Sequence, residues 1–399
     1  MHDLVIRNGQ LVDGTGNASV DDVDIAIDGS IITKIEPAGA IGACHREIDA
    51  SGMIVTPGFV DIHTHYDGQA TWDPNLEPSS PHGVTTVVMG NCGVGFAPAD
   101  PDRHEWLIEL MEGVEDIPGA ALSEGLTWDW ETFPEYLDAL DRREFAVDVA
   151  AMVAHGPVRA YVMGDRGANN EPATSDDIAQ MAEIVAEAVE AGAMGFSTSR
   201  TIAHRAMNGE PVPGTFAAED ELFGLGRALQ RVGKGLFEVA PAGVAGEDIV
   251  KPHAEMEWMI RLAKDIERPV TWLMLQNLVA PDDWREFMEL SAKAQADGHS
   301  VIPQVAGRPF GMLLGLQGRH RFRDCPTFAP LLDLSVADQA EVMRDPKLRR
   351  RLISESRDQE LELASSNPIA AIFLRAHDRT YVLGDPVSYE PDAADSIAG

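Results

Sequence analysis

Two histidines one residue apart are the most chemically informative feature of the chain. His63 and His65 end the stretch Pro57-Gly-Phe-Val-Asp-Ile-His-Thr-His65. Alternate residues of a β-strand share a face, so both imidazoles should project together where the strand ends. Neutral imidazoles presented in this way suit zinc. A bare H-x-H pattern is usually two ordinary histidines in a turn, but the strand and the preceding Pro-Gly favour metal ligands.

Cys92 follows the next apolar stretch, in Val87-Val-Met-Gly-Asn-Cys-Gly-Val-Gly95. A lone cysteine is most often a small buried apolar residue. In a glycine-flanked loop directly after a strand, however, its sulfur would lie near the two histidines. We therefore expect Cys92 to be a bridging or terminal thiolate ligand of the same metal site.

Glu238 is a charged residue inside the apolar strand Leu236–Ala240. Burying a charge is costly unless it is paired or bound to metal. If Glu238 points into the protein, it is a metal ligand or a general base. If it points outward, it belongs to an ion pair with a helix. We expect the inward orientation and include Glu238 in the metal site.

Other polar residues at strand ends are candidates for substrate binding. His155 ends the third strand, where a role in the pocket or as the partner of a metal ligand is favoured over direct ligation. The segment Ser197-Thr-Ser-Arg200 ends the fourth strand and could hold a substrate carboxylate, although loop capping and a surface arginine explain it equally well. Gln276, at the end of the sixth strand, could hydrogen-bond substrate or be an ordinary loop residue.

Each candidate site residue lies in or directly after an apolar run of the sequence. Amphipathic Ala- and Glu-rich stretches, such as Asp176–Ala191, separate these runs. Strands alternating with helices predict the α/β class and a TIM-like (β/α) barrel, whose active site lies at the C-terminal ends of its strands. The predicted strands are Val55–His63, Thr85–Gly90, Ala146–His155, Gly195–Ser199, Leu236–Ala240, Val270–Leu275 and Ser300–Val305.

The sequence patterns at the two ends of the chain differ from this strand–helix alternation. Residues 1–54 contain short alternating stretches separated by Asn8-Gly9, Asp13-Gly14 and Asp28-Gly29, which predict hairpins in a small β-unit. Residues 55–399 are assigned to the barrel.

After Val305 the chain becomes a Gly- and Arg-rich loop (Ala306–Arg323) followed by helical stretches, and Arg379–Gly384 could be one short strand. An eighth strand with its helix is not visible, so a seven-stranded, incomplete barrel is expected.

Composition limits the possible partners. Lys and Arg total 31 against 65 Asp plus Glu, a net charge of -34, so nucleic acid and anionic membranes are poor partners. Three widely spaced cysteines fit a reducing compartment. Because no secretory leader or long apolar run is visible, we expect a soluble cytoplasmic protein with a small-molecule substrate and an undetermined oligomeric state.

The motifs together resemble the N-acyl-D-amino-acid deacylase (D-aminoacylase) branch of the amidohydrolase superfamily. The resembling segments are Ile54–Asp67, Gly83–Gly95, Met152–His155 and Gly192–Thr198, and the Gly-Asn-Cys-Gly stretch is far more specific than H-x-H alone. The resemblance implies a TIM-like barrel with a small β-sandwich made from both chain ends. It also implies one or two zinc ions and hydrolysis of an amide bond by a metal-activated water, with His63, His65 and Cys92 as ligands.

The chain departs from this branch in two places. Two further histidines usually end strands five and six, where this chain has Glu238 and Leu275-Gln276. The catalytic aspartate of the branch, in a Ser-Asp-Gly-Gly-Ala-His-like segment at the eighth strand, would come after Gly399. We therefore expect a C-terminally truncated form whose activity is in question.

Two rival functions are compatible with the same fold. A hydantoinase or dihydropyrimidinase-type cyclic amidase normally bridges two metals with a modified lysine on strand four, and strand four has no lysine here. A catalytically dead barrel that binds a ligand would explain the missing histidines, but retention of His63, His65 and Cys92 argues against it. Bound zinc would favour the enzyme.

Overall fold

The computed structural model describes residues 1–115, 117–248, 250–277, 280–307, 311, 313–316, 318, 320–366 and 376–399. They form two compact units. The first unit contains Met1–Ile62, Asn75–Val87 and Phe145–Val149. The second contains His63–Pro74, Val88–Glu144 and Ala150–Gly399.

A five-stranded sheet builds most of the first unit. Its strands are β1 (His2–Leu11), β2 (Val20–Asp28), β3 (Ile31–Pro37), β4 (Cys44–Asp49) and β5 (Ile54–Val55). The order is β3-β2-β1-β4, and β5 also pairs with β1. The first three strands are antiparallel, whereas β4 and β5 run parallel to β1. Val5, Ala26 and Ile41 are buried together as the core of this sheet.

The predicted turns in this sheet have different outcomes. The hairpin at Asp28-Gly29 is confirmed, because β2 and β3 pair from Asp28 to Ile31. The turn predicted at Asn8-Gly9 is wrong: both residues lie inside β1, at a register shift against β2. Asn8 has a φ of 58° there. Asparagine tolerates this left-handed region, so the same dipeptide serves a turn or a bulge and only the pairing strand decides which.

Three short strands, β6 (Phe59–Asp61), β7 (Val84–Met89) and β8 (Asp148–Ala151), form a second sheet in that order. The prediction of one continuous strand over Val55–His63 is wrong, because Val55 belongs to β5 and Thr56-Pro-Gly58 separates it from β6. Pro57 has no N–H to donate to a ladder. A Cβ on Gly58 would lie 2.0 Å from Thr85 Oγ1, so glycine is required for this close approach.

Five parallel strands form the third sheet, in the second unit. They are β9 (Val153–Ala154), β10 (Gly195–Ser199), β11 (Leu236–Ala240), β12 (Val270–Leu273) and β13 (Val301–Gln304). Their order in the sheet follows the chain. The predicted fourth and fifth strands have the observed bounds, and the third is split at Met152 into β8 and β9. Parallel strands joined by helices confirm the α/β class, while the closure of the barrel stays a prediction.

Helices connect and cover these strands. The predicted helix Asp176–Ala191 is confirmed, with Thr174 capping its start and Met181, Val185 and Val189 buried. The helices are α1 (His104–Glu115), α2 (Gly119–Gly125), α3 (Phe133–Asp141), α4 (His155–Met163), α5 (Asp165–Ala168), α6 (Ser175–Ala191), α7 (Glu219–Val232), α8 (Lys251–Ile266), α9 (Trp284–Ala296), α10 (Val336–Val342) and α11 (Pro346–Ser366). Single 3₁₀ turns lie at Gln69–Thr71, Ser80–His82, Pro101–Arg103, Ala329–Leu331, His377–Arg379 and Ala393–Asp395.

After β13 the described chain contains α10, α11 and three single 3₁₀ turns, joined by irregular segments. Cys325, Phe328, Leu331 and Leu352 form a separate buried cluster. The short strand predicted at Arg379–Gly384 is wrong, because only an isolated bridge between Tyr381 and Ser396 is formed. The predicted loop Ala306–Arg323 lies partly outside the described residues. No helix in the described ranges combines the length and apolar character needed to cross a membrane.

Candidate metal centre

His63 and His65 lie just beyond the end of β6, which stops at Asp61. The predicted strand Val55–His63 therefore ends too late, since His63 itself lies in a bend. Thr64 ties this segment to β7. Thr64 donates its N–H to Val88 O at 3.0 Å and its hydroxyl to the same oxygen at 2.8 Å. The imidazole rings of His63 and His65 lie next to each other in an edge-to-face arrangement.

The turn that carries Cys92 depends on glycine. Gly90 has a φ of 78°, Cys92 a φ of 56° and Gly93 a φ of 68°. A Cβ on Gly90 would lie 2.1 Å from Met152 O, and one on Gly93 would lie 2.9 Å from Ser199 N. No side chain larger than hydrogen fits either position, so this backbone conformation requires glycine at both Gly90 and Gly93. It brings the Cys92 sulfur back toward the histidines.

One ligand atom each of His63, His65 and Cys92 lies within 4.8 Å of the other two. The sulfur of Cys92 is 3.2 Å from His63 Nε2, and the imidazole centroids are 5.3 Å apart. All three residues belong to the second unit. The predicted meeting of these side chains agrees with this geometry, and their role as metal ligands remains a prediction.

Glu238 points inward from β11 and is fully buried. Its Oε2 accepts the backbone N–H of Cys92 at 3.0 Å. Its Oε1 has no hydrogen-bond partner within the described ranges. Burial raises the pKa of this carboxyl to about 8, against the opposing effect of the Cys92 hydrogen bond. Glu238 is not among the three converging donors, so the geometry favours support of the Cys92 turn, and direct ligation stays a prediction.

The electrostatic state of the three donors follows from burial. Burial lowers the pKa of His65 to about 4, so this imidazole is neutral at neutral pH. Burial raises the pKa of the Cys92 thiol well above 9.0, and the charges of Glu238, Glu115 and Asp67 raise it further. In the absence of a cation the thiol is therefore protonated, and a cation bound here must displace that proton.

Several residues near this group had no assigned role in the sequence analysis. Gln304, the last residue of β13, places Oε1 2.6 Å from His63 Nδ1. Asp67 is buried two residues after His65, and burial raises its pKa to about 7. Glu115 Oε1 lies 3.4 Å from His65 Nε2. Asp67 stood inside the sequence motif and was identifiable there, whereas nothing local marked Gln304 or Glu115.

His204 is a third histidine beside the pair. Its Nδ1 is 2.9 Å from Ser199 Oγ. Burial lowers its pKa to about 3, and the neighbouring charges of His65 and His63 lower it further. Its position five residues after the end of β10 was the one available signal, and a single histidine in an irregular loop carries no periodicity.

His155 lies apart from the three donors. It is fully buried, and its Nδ1 and Nε2 are hydrogen-bonded to Thr198 Oγ1 at 2.8 Å and Glu221 Oε1 at 2.9 Å. Arg159, also buried, pairs with the same Glu221 carboxylate. A substrate would have to displace these partners to contact the imidazole. The geometry therefore gives His155 a structural role between α4, α7 and β10, and its predicted substrate role has no support from these contacts.

The other predicted substrate residues also have protein partners. Ser197 is fully buried; its hydroxyl donates to Gly90 O and accepts from Gly93 N, so it supports the Cys92 turn. Arg200 is paired with both carboxylate oxygens of Glu255, at 3.1 and 2.9 Å. Gln276 is exposed and donates to Pro281 O. Only Arg200 and Gln276 retain exposed surface that a substrate could contact.

Comparison with known proteins places this site in a family. A model of the amidohydrolase family matches residues 46–366. The chain belongs to the amidohydrolase family. An uncharacterised protein of Mycobacterium tuberculosis is 34% identical over 375 residues, covering 89% of this chain and 57% of the relative. D-aminoacylase of Alcaligenes xylosoxydans xylosoxydans is 33% identical over 310 residues, covering 76% of this chain and 58% of the relative.

A solved structure supports the same branch of amidohydrolases. N-acyl-D-glutamate deacylase from Bordetella bronchiseptica, complexed with zinc and a phosphonate inhibitor, superimposes with a TM-score of 0.60 at 28% sequence identity. The match covers 77% of this chain and 59% of that protein. The chain thus spans somewhat more than half the length of the relatives it matches. Resemblance to the D-aminoacylase branch is confirmed by these comparisons.

The donors of this amidohydrolase fit a zinc ion. Two imidazoles and one cysteine sulfur, all partly or fully buried, are ligand types that zinc takes in proteins. His65 Nδ1 and Glu238 Oε1 are buried without a hydrogen-bond partner in the described part of the chain, which leaves donor atoms unused beside the group. Buried polar atoms of this kind are unusual unless a ligand satisfies them.

Proposed function

We propose that this amidohydrolase binds one or two zinc ions and hydrolyses the C–N amide bond of N-acyl D-amino acids or related compounds. The convergence of His63, His65 and Cys92 within 4.8 Å carries the proposal. Similarity to D-aminoacylase, and to an N-acyl-D-glutamate deacylase solved with zinc, supports the substrate class. The absence of a lysine from β10 disfavours the alternative of a hydantoinase-type site with two bridged metals.

Within this proposal, His63, His65 and Cys92 hold the metal. Zinc held there would supply Lewis-acid activation of a water and of a carbonyl oxygen. Glu238 and Ser197 hold the turn that carries Cys92, so the sulfur stays aimed at the imidazoles. Arg200, through its partly exposed guanidinium, and Gln276 are the two predicted substrate residues that we retain.

We further propose the division of the chain expected from its sequence. Residues 1–54 would form part of a small β-sandwich, and residues from 55 onward would form the TIM-like barrel. The sheet β1–β5 and the chain-ordered parallel sheet β9–β13 support this division.

Metal content tests the proposal directly. The purified chain should contain close to stoichiometric zinc by mass spectrometry, and zinc-restored protein should release amino acid from N-acetyl-D-amino acids faster than metal-stripped protein. The Cys92→Ser variant should lose the zinc. The Cys44→Ser variant is the matched control, because Cys44 is a free cysteine in the first unit.

A chain that binds no zinc would contradict the proposed function and favour a barrel that binds its ligand without metal-dependent hydrolysis. Equal zinc loss in both cysteine variants would show that the effect is not specific to this site.

A further inference from the structure

Gln304 contacts His63 from the far end of the parallel sheet. Its amide oxygen Oε1 lies 2.6 Å from His63 Nδ1, although 241 residues separate the two in sequence. The Gln304 residue is only 6% exposed. Its backbone is fixed by pairing with Leu273 of β12 and by accepting the Met274 N–H at 2.9 Å. The Gln304 side chain is therefore attached to a backbone that is held in place by strand pairing.

This hydrogen bond determines which nitrogen of His63 carries the proton. An amide oxygen can only accept, so Nδ1 must be the N–H donor. A neutral imidazole has one N–H, which leaves Nε2 with its lone pair. That nitrogen is the one 3.2 Å from the Cys92 sulfur. The lone pair of Nε2 therefore faces the Cys92 side of the cluster.

His65 has no equivalent arrangement. Its Nδ1 is buried and makes no hydrogen bond to any residue that the structure describes. Its Nε2 faces Glu115 at 3.4 Å. His63 is thus the imidazole whose orientation and tautomer are set in advance by a buried neutral partner.

We propose that Gln304 is a positioning residue that fixes the Nδ1–H tautomer and the ring orientation of His63, so that Nε2 is ready to bind the metal. The proposal rests on the proposed function, since it concerns the same centre. Partners that accept the second N–H of a ligating histidine raise its basicity and hold its ring, and their loss typically weakens metal binding about 10- to 100-fold. Neither the family match nor the relatives assign this role to Gln304.

Zinc affinity measured by chelator competition tests the proposal with three variants. Gln304→Ala removes the acceptor and should weaken zinc binding about 10- to 100-fold. Gln304→Glu keeps an acceptor at the same place and should bind zinc at least as tightly as the wild type. Gln339→Ala is the matched control, because Gln339 is another buried glutamine, lies in α10 and donates to Leu334 O. Its zinc affinity should be unchanged.

The proposal is overturned if Gln304→Ala binds zinc like the wild type, or if Gln304→Glu loses affinity as Gln304→Ala does. A merely structural glutamine would not be replaced by glutamate with full recovery. Thermal unfolding of each variant separates a loss of fold from a loss of metal affinity.

A metal-free measurement separates this proposal from the proposed function. Nitrogen-15 NMR of the zinc-free protein should show His63 with a protonated Nδ1 and an unprotonated Nε2, and Gln304→Ala should mix the two tautomers. If the wild type binds no zinc but shows this tautomer, the proposed function fails while the tautomer assignment stands. A protonated Nε2 in the wild type would overturn the assignment whether or not zinc binds.

Discussion

Glu238 accepts the backbone N–H of Cys92 at 3.0 Å, which joins β11 to the turn after β7 across 146 residues of sequence. The Glu238 carboxyl group contacts the main chain of a proposed ligand, while the three converging donors come from His63, His65 and Cys92. This relationship gives Glu238 a supporting role beside the ligand role that the sequence predicted. A carboxylate that supports the turn needs only an acceptor oxygen, whereas a ligand needs its negative charge.

Two substitutions at Glu238 distinguish these roles. Glu238→Gln keeps an acceptor for the Cys92 N–H, and we expect zinc affinity within a few-fold of the wild type. Glu238→Ala leaves that buried N–H without a partner, which should cost roughly 1–3 kcal/mol of unfolding free energy and weaken zinc binding. Chelator competition and urea unfolding measure both effects. Loss of zinc in Glu238→Gln would instead support direct ligation.

Gly90 should be one of the least replaceable residues of the second unit. An alanine Cβ would meet Met152 O at 2.1 Å in a backbone with φ of 78°. We expect Gly90→Ala to lower the unfolding free energy by roughly 3 kcal/mol or more, since it combines strain and a clash with main chain. Gly298→Ala is the control, because Gly298 has a φ of 88° with nothing within 4 Å of the added Cβ. It should cost only about 1–2 kcal/mol.

Ser197 should affect stability and metal binding together. Ser197→Ala leaves Gly93 N without its acceptor and Gly90 O without its donor in a buried turn. Urea unfolding should show a loss of roughly 1–3 kcal/mol, and zinc affinity should fall because Cys92 lies within this turn. Ser291→Ala is the control, since the buried Ser291 hydroxyl has no partner in the described ranges. A changed KM with unchanged stability in Ser197→Ala would restore the predicted substrate role.

Asp177 gives a pH-dependent contribution to stability. The Arg166 guanidinium, with Thr174 hydrogen bonds, lowers the pKa of Asp177 from 3.8 to about 2. A carboxyl with a lowered pKa stabilises the fold above 3.8, and this contribution is lost as the pH falls through about 2. Asp177→Ala removes this ion pair and an acidic group from the first helical turn, so it should cost about 1 kcal/mol near neutral pH.

The difference between Asp177→Ala and the wild type should shrink as the pH is lowered from about 4 toward 2, measured by urea unfolding. Asp176→Ala, an exposed neighbour in the same helical turn, is the control. A constant difference between the Asp177 variant and the wild type at every pH would argue against the ion pair.

The sequence by itself determined the parts of this protein that depend on local pattern. The apolar runs at Gly195–Ser199 and Leu236–Ala240 are strands with the bounds that were expected. His63, His65 and Cys92 were recognised as one group because each follows an apolar run and Cys92 is flanked by glycines. Such signals are local: side-chain alternation and the need for glycine at positive φ act within a few residues.

Only the tertiary structure decided which distant residues support that group. Gln304 meets His63 across 241 positions, Glu238 meets Cys92 across 146, and Ser197 meets Gly93 across 104. Hydrophobic periodicity gives the face of a strand but not the register between strands or the rotamer of a polar side chain. The sequence therefore predicted an inward Glu238 without its contact to Cys92 and placed Ser197 with the substrate, whereas the packing of β10, β11 and β13 turned these side chains toward His63 and the turn that carries Cys92.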